Sequence, residues 1–152
     1  MKKLKIYVDT SVFGGCFDKE FETLSRQLFS EIVSDKFRLV ISETTFVELS
    51  NAPQNVQDVL LNIPSEFIEN VPLTSEIETL RDAYITAGIV GTGSLKDAEH
   101  IAAASVSGVD LIVSWNFKHI VHFQKIRGYH SVNLALGYPQ IPIYSPREVI
   151  EP

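Results

Sequence analysis

Five short apolar runs, each followed by residues with helical spacing, constrain this chain more than any other feature. The runs occupy 4–8, 38–41, 66–71, 110–114 and 141–144. Between the first two, Phe21, Leu24, Leu28, Phe29, Ile32 and Val33 recur at a spacing that lines one helix face. Ser42 is placed to cap a helix over 43–51. Pro53 opens another, with Val56, Val59, Leu60 and Ile63 on one side and Pro64 as its stop. Residues 75–87 read as a helix ended by Gly88, and Gly91-Thr92-Gly93 as a flexible connection. Ser94 is placed to cap a helix that Gly108 ends, and 117–136 read as helical or irregular. Strands that alternate with helices predict a mostly parallel sheet covered on both faces, a three-layer α/β/α sandwich. In such folds ligands bind beyond the carboxyl ends of the strands, so candidate residues are sought there.

The length of 152 residues suits one domain over 1–152, and 45% apolar residues are enough for it to bury a core. Nineteen acids against thirteen Lys and Arg leave a formal charge of −6, which argues against a module that grips nucleic acid by bulk charge alone. It does not argue against an enzyme that meets nucleic acid through metal ions. The single cysteine, Cys16, cannot form an internal disulfide and reads as a small buried residue, which fits a reducing cytoplasm. After Met1, Lys2, Lys3 and Lys5 the apolar run is cut short by Asp9, so no signal peptide is expected. No stretch approaches the roughly 18 apolar residues of a membrane span. A cytoplasmic protein without membrane attachment is expected.

Three acids and an amide fall at or just beyond strand ends. Asp9 follows the first strand directly; its simpler role is a turn or cap residue, aided by Thr10 and Ser11. At about 100° per residue, Asp97 lies within the apolar arc of Leu95, Ala98, Ile101, Ala102 and Val106, while Lys96 and Glu99 point elsewhere. A carboxylate on a core-facing stripe needs a partner or a metal. Ser94-Leu95-Lys96-Asp97 also matches a capping box, which leaves both readings open. Glu48 lies near but not within the stripe of Phe46 and Leu49, and taken alone it reads as a solvated helix glutamate. Asn116 follows the fourth strand, where a turn or cap role competes.

Two carboxylates about 5 Å apart repel by roughly 3 kcal/mol at an effective dielectric near 20. Three gathered together would raise their pKa values or recruit a divalent cation. Oxygen ligands suit Mg²⁺ or Mn²⁺ rather than zinc, in a site able to hydrolyse a phosphodiester.

In these motifs the chain resembles the PIN-domain family, and within it the ribonuclease toxins of bacterial toxin–antitoxin pairs. The resemblance rests on Ile6-Tyr7-Val8-Asp9-Thr10-Ser11, on Ser42 through Glu48-Leu49, and on Leu95-Lys96-Asp97-Ala98-Glu99-His100-Ile101-Ala102-Ala103-Ala104. Leu111-Ile112-Val113-Ser114-Trp115-Asn116-Phe117 completes it. The ordered set spans nearly the whole chain. It implies a metal-dependent endoribonuclease on a parallel-sheet α/β/α fold, with Asp9, Glu48 and Asp97 as ligands of Mg²⁺ or Mn²⁺ and Asn116 as an accessory catalytic residue. Thr10 or Ser11 would help hold a water or a phosphate. The family commonly has an Asp where this chain has Asn116, which removes one negative charge. The resemblance also implies a small antitoxin partner and a homodimer.

Residues 111–147 contain no acid, but carry Lys118, Lys125, Arg127 and Arg147 with His119, His122 and His130. Trp115, Phe117, Phe123 and Tyr129 are interleaved with them. Such a stretch suits the backbone and bases of single-stranded RNA, with Lys118 and His119 nearest the acids. A locally basic surface with buried aromatics is the plainer alternative. Two other functions compete with cleavage. Asn116 and the net acidity suit a catalytically impaired RNA- or protein-binding module on the same fold. A phosphoaspartate-type enzyme with Asp9 as nucleophile is disfavoured, because such phosphatases usually carry a second Asp where this chain has Ser11. A signalling receiver would want an early acidic pair that Lys3, Leu4 and Lys5 do not supply.

Overall fold

The computed structural model describes residues 2–150; Met1, Glu151 and Pro152, the ends of the expected single domain, lie outside them. Strands β1 (Leu4–Val8), β2 (Phe37–Ser42), β3 (Ile68–Val71), β4 (Leu111–Val113) and β5 (Ile143–Tyr144) form one sheet in the order β3-β2-β1-β4-β5. Every pair is parallel. Helices α1 (Thr10–Gly15) and α2 (Glu22–Val33) connect β1 to β2, and α3 (Glu43–Ser50) and α4 (Gln54–Leu61) connect β2 to β3. Helices α5 (Ser75–Thr86) and α6 (Leu95–Ser107) carry the chain back to β4, and α7 (Phe123–Leu136) leads to β5. A short α8 (Pro146–Val149) follows.

Alternation along the strands explains the layers, because successive side chains point to opposite faces. Tyr7, Val40, Ile112 and Ile143 pack with Ile77, Leu80 and Tyr84 of α5, Ala98 to Ala104 of α6, and Tyr129 of α7. Ile6, Val8, Leu39, Ile41 and Val113 pack on the other face with α1, α2 and α4. The result is the three-layer sandwich expected from the alternation.

Several local expectations change. The run after Asp9 is not a plain turn: Val12 and Phe13 turn inward and make it the helix α1. Ser145 and Glu148 close a capping box that forms α8, a short helix with no counterpart among the expected elements. The segment before α7 is irregular to His122. Helix α6 is covered on nearly all sides, so its single apolar arc was the wrong picture: Glu99 is only 2% exposed, while Leu95 is exposed. Glu99 is held there by Thr44 Oγ1 at 2.5 Å and Arg81 Nη1 at 2.6 Å, which supply the partners that a buried carboxylate requires. Phe46 of α3 is likewise exposed, and Leu49 alone of that pair enters the core.

The exit of β4 is braced against α1 and α2. The Trp115 indole N–H donates to Ser25 Oγ at 2.8 Å, and Phe21 stacks on the indole at 4.3 Å. Gly15 leaves the room for this contact: a Cβ there would meet Ser25 Oγ at 2.6 Å and Trp115 Nε1 at 2.9 Å. Gly15→Ala is expected to destabilise the fold by about 1–3 kcal/mol through overpacking. For a chain of this size each kcal/mol lowers the melting temperature by about 2–4 °C. An unchanged melting curve would contradict this packing.

Candidate active site

The sheet reverses its winding between β1 and β4, because the chain leaves β1 towards β2 but enters β4 from the opposite side. Val8 lies opposite Val113 in register, so Asp9 and Ser114 leave the sheet side by side. Asp9 occupies the N-cap position of α1 but makes no side-chain cap bond. Its Oδ1 instead accepts from Ser11 Oγ at 2.6 Å. Ser11 Oγ in turn accepts the Trp115 N–H at 2.9 Å and lies 3.4 Å from Ser114 Oγ. Asp9 is only 4% exposed. Burial pushes its carboxyl above the ordinary 3.8, and Glu48 adds to this, while His100, Ser11 and Ser114 pull the other way.

Glu48 arrives from α3, whose start is fixed as the sequence suggests: Ser42 is the N-cap, and its N–H donates to Thr45 Oγ1 at 3.2 Å. The glutamate is not a solvated helix residue. Thr10 Oγ1 donates to Glu48 Oε1 at 2.6 Å, and His100 Nε2 lies 2.5 Å from the same oxygen. Burial alone would raise the Glu48 carboxyl, but the hydrogen bond and charge of His100, with Thr10, hold it below its ordinary value. His100 shows the converse. Burial opposes its charge, yet Tyr7, Glu48 and Asp9 outweigh that and raise it well above 6.5.

Asp97 lies in the first turn of α6, half-buried. The capping box with Ser94 is not made. A 3₁₀ turn over Thr92–Ser94 leaves Ser94 at φ −110°, ψ 29°, not in the extended conformation from which a cap hydroxyl reaches the first turn. Burial raises the Asp97 carboxyl and Glu48 raises it further, against His119, His100 and the Asn116 amide beside it. Asn116 also serves its own turn, where its Oδ1 accepts the His119 N–H at 2.9 Å. The asparagine thus spends its oxygen on the turn and offers its NH₂ to Asp97, which an aspartate could not do without adding repulsion. His119 is half-buried and its carbonyl accepts from Tyr129 at 2.8 Å, while Lys118 is exposed at the rim.

At the carboxyl edge Glu48 thus acts on both Asp9 and Asp97, and Asn116 and His119 act on Asp97, with Thr10 bonded to Glu48 and Ser11 to Asp9. Sequence reasoning passed over Ser114, Tyr7 and His100. A signal for His100 existed, since it follows Asp97 by three residues and so shares its helix face. The basic and aromatic stretch divides: Trp115 and Tyr129 are buried, whereas Phe117 and Phe123 are exposed and Arg147 lies over the Trp115 ring at 6.0 Å.

Among the described residues no three His, Cys, Asp or Glu side chains close into a metal cage. The donor chemistry still fits a hard divalent cation. Asp9, buried, and Asp97, half-buried, are oxygen donors whose charged forms lack full compensation. Mg²⁺ is commonly held by one or two carboxylates, with water and substrate phosphate completing its shell.

No family model and no curated protein matches the chain. Solved structures do. VapBC2 from Rickettsia felis, bound to a DNA fragment from their promoter, superposes with a TM-score of 0.55 at 16% identity, covering 93% of this chain and 98% of that one. VapC20 from Mycobacterium tuberculosis, a sarcin-ricin loop cleaving toxin, superposes at 0.52 with 12% identity, covering 90% and 98%. In structure the chain resembles the VapC PIN-domain toxins. A tyrosyl-tRNA synthetase from Aeropyrum pernix also superposes at 0.52 with 9% identity, over 93% of this chain but 52% of that one. At these identities the likeness concerns the fold, and the chemistry must be argued from the residues.

A carboxyl group raised in the folded state binds more protons there than in the unfolded chain. Its ionised form therefore costs stability above the folded value, and that cost vanishes as pH falls below the ordinary 3.8. Asp9→Asn is thus expected to raise the melting temperature at pH 7, by about 2–4 °C for each kcal/mol recovered, with the gain shrinking toward pH 4. A variant that melts lower than the parent at pH 7 would contradict this electrostatic account.

Proposed function

We propose that the chain, as a single domain over 1–152, is a metal-dependent endoribonuclease and the toxin of a toxin–antitoxin pair. The observation that carries the reading is the pair of desolvated carboxylates, Asp9 and Asp97, beside Glu48 at the crevice where β1 and β4 part. The fold likeness to a sarcin-ricin loop cleaving toxin and to VapBC2 supports RNA as substrate and an antitoxin as partner. We assign Asp9, Glu48 and Asp97 to holding Mg²⁺ or Mn²⁺. When bound, such a cation acidifies water and neutralises the negative charge that builds on the phosphate.

The chain's own residues do the rest by positioning. Ser11 and Ser114 steady Asp9, and Thr10 steadies Glu48, so both hydroxyl residues next to Asp9 serve the carboxylates as well as any phosphate brought against them. Asn116 keeps Asp97 beside the turn that presents His119 and the exposed Lys118, which we assign to the RNA backbone. We place the protein in the cytoplasm as a homodimer. No helix among the described residues is long and apolar enough to cross a membrane.

A second reading has one observation in its favour. Asn116 stands where an acid is common in the resembled family, and its Oδ1 is engaged in a turn, as in a binding module that has lost catalysis. The assay that separates them incubates single-stranded and structured RNAs with Mg²⁺ or Mn²⁺. Cleavage is expected, with loss in excess chelator and a fall on the order of 100-fold or more in Asp9→Asn, since even outer partners of a metal site cost about 10–100-fold. Cleavage unchanged by chelator or by Asp9→Asn would reject the metal-dependent reading.

A further inference from the structure

Tyr7, Ser42 and His100 are buried polar residues to which the proposed chemistry gives no role. Tyr7 lies in the middle of the sheet, where an aliphatic residue would pack without needing partners. Its hydroxyl instead joins two elements: it lies 2.7 Å from Ser42 Oγ and 2.7 Å from His100 Nδ1. The phenol ring also meets the imidazole edge-on at 5.6 Å. His100, 1% exposed, is thus fixed at one nitrogen, and its other nitrogen lies 2.5 Å from Glu48 Oε1. An unbroken line of contacts runs from the cap of α3 through β1 and α6 back to α3, nearly two turns further on.

What this line fixes is the longest of the three acid side chains. Glu48 is 29% exposed at its side chain and has three rotatable bonds, so without anchors it would sample solvent-facing rotamers. Thr10 supplies one anchor, but only through a rotatable hydroxyl. Both bonds fall on Oε1, which leaves Oε2 as the oxygen for the crevice.

We propose that Ser42, Tyr7 and His100 form a positioning device that holds the Glu48 carboxylate with Oε2 turned toward Asp9 and Asp97. The purpose of this device rests on the metal-dependent reading above; its geometry does not. Buried networks in which every member is paired impose a unique arrangement, and removal of one member frees the next. Partners that orient a metal ligand typically change affinity by about 10–100-fold when lost.

The test compares the parent with His100→Ala, His100→Gln and Tyr7→Phe. Crystal structures without metal report the Glu48 conformation, calorimetry with Mn²⁺ reports affinity, and thermal melting checks that each variant is folded. The parent is expected to show one Glu48 conformer, and His100→Ala to show several or a solvent-facing one. Mn²⁺ affinity is expected to fall about 10–100-fold in His100→Ala. His100→Gln, whose amide can donate near the position of Nε2, should recover part of that loss, a rescue that a purely structural role would not produce. Should His100→Ala fail to fold, Tyr7→Phe decides, because it removes a single hydroxyl and is expected to loosen Glu48 in the same direction. An unmoved Glu48, or Mn²⁺ binding as tight as the parent's or tighter, overturns the proposal. If the parent binds no Mn²⁺, the metal reading fails, and the Glu48 conformers alone decide whether the positioning device exists.

Discussion

The crevice exists because β1 pairs in parallel with β2 on one side and β4 on the other, while the connections at their carboxyl ends diverge to opposite faces. Parallel strands cannot be joined by hairpins, so each needs a helical crossover, and the crossovers part where the winding reverses. Asp9 stands at that parting because β1 ends one residue earlier, opposite Val113. Ser114 and Asn116 stand beside it because β4 ends in the same register. Helices α3 and α6 then lower Glu48 and Asp97 over the gap. No loop needs to be long or mobile to assemble these residues, since the sheet already brings their starting points together.

That arrangement has an electrostatic consequence. Water is excluded from Asp9 and partly from Asp97, yet the cations able to compensate them are few. Lys118 is at the rim, and Arg81 is committed to Glu99 on the far side of α6. Lys96 acts on Glu48 and His119 on Asp97, but among the described residues it is His100 that acts on Asp9, Glu48 and Asp97 alike. It satisfies Glu48, whose carboxyl is held down, and leaves the two aspartates raised. A protein interior selected for stability alone would replace such groups with apolar ones. Their retention at the carboxyl edge marks the place where the fold departs from local comfort, as functional sites commonly do.

The layers were legible because five apolar runs alternated with helical spacing, and that signal survives any error in the element boundaries. Short elements were not. Four residues of α8 and six of α1 carry too little periodicity to register, although Ser145 and Glu148 held a capping pattern in plain view. Asp9 and Asp97 were legible as candidates from strand ends and from helix phase. Helix phase also misled, because it assumes one apolar face. Helix α6 lies against the sheet and α5 and is buried over Ala98 to Ser105, so Glu99 and His100 are interior residues. The Ser94 box failed for a backbone reason that no side-chain pattern encodes. Tyr7 looked like an ordinary strand residue, and its bond to His100 spans 93 positions, beyond the reach of local spacing.

The central claim is that these acids form a socket for a hard divalent cation. Anomalous diffraction from crystals soaked in Mn²⁺ tests it most directly, because it locates the ion without relying on activity. A peak in the crevice, in contact with carboxylate oxygens of Asp9 and Asp97 and lost in Asp9→Asn crystals, is the predicted result. Crystals soaked to saturation that show no peak there, or the same peak in the variant, would contradict it.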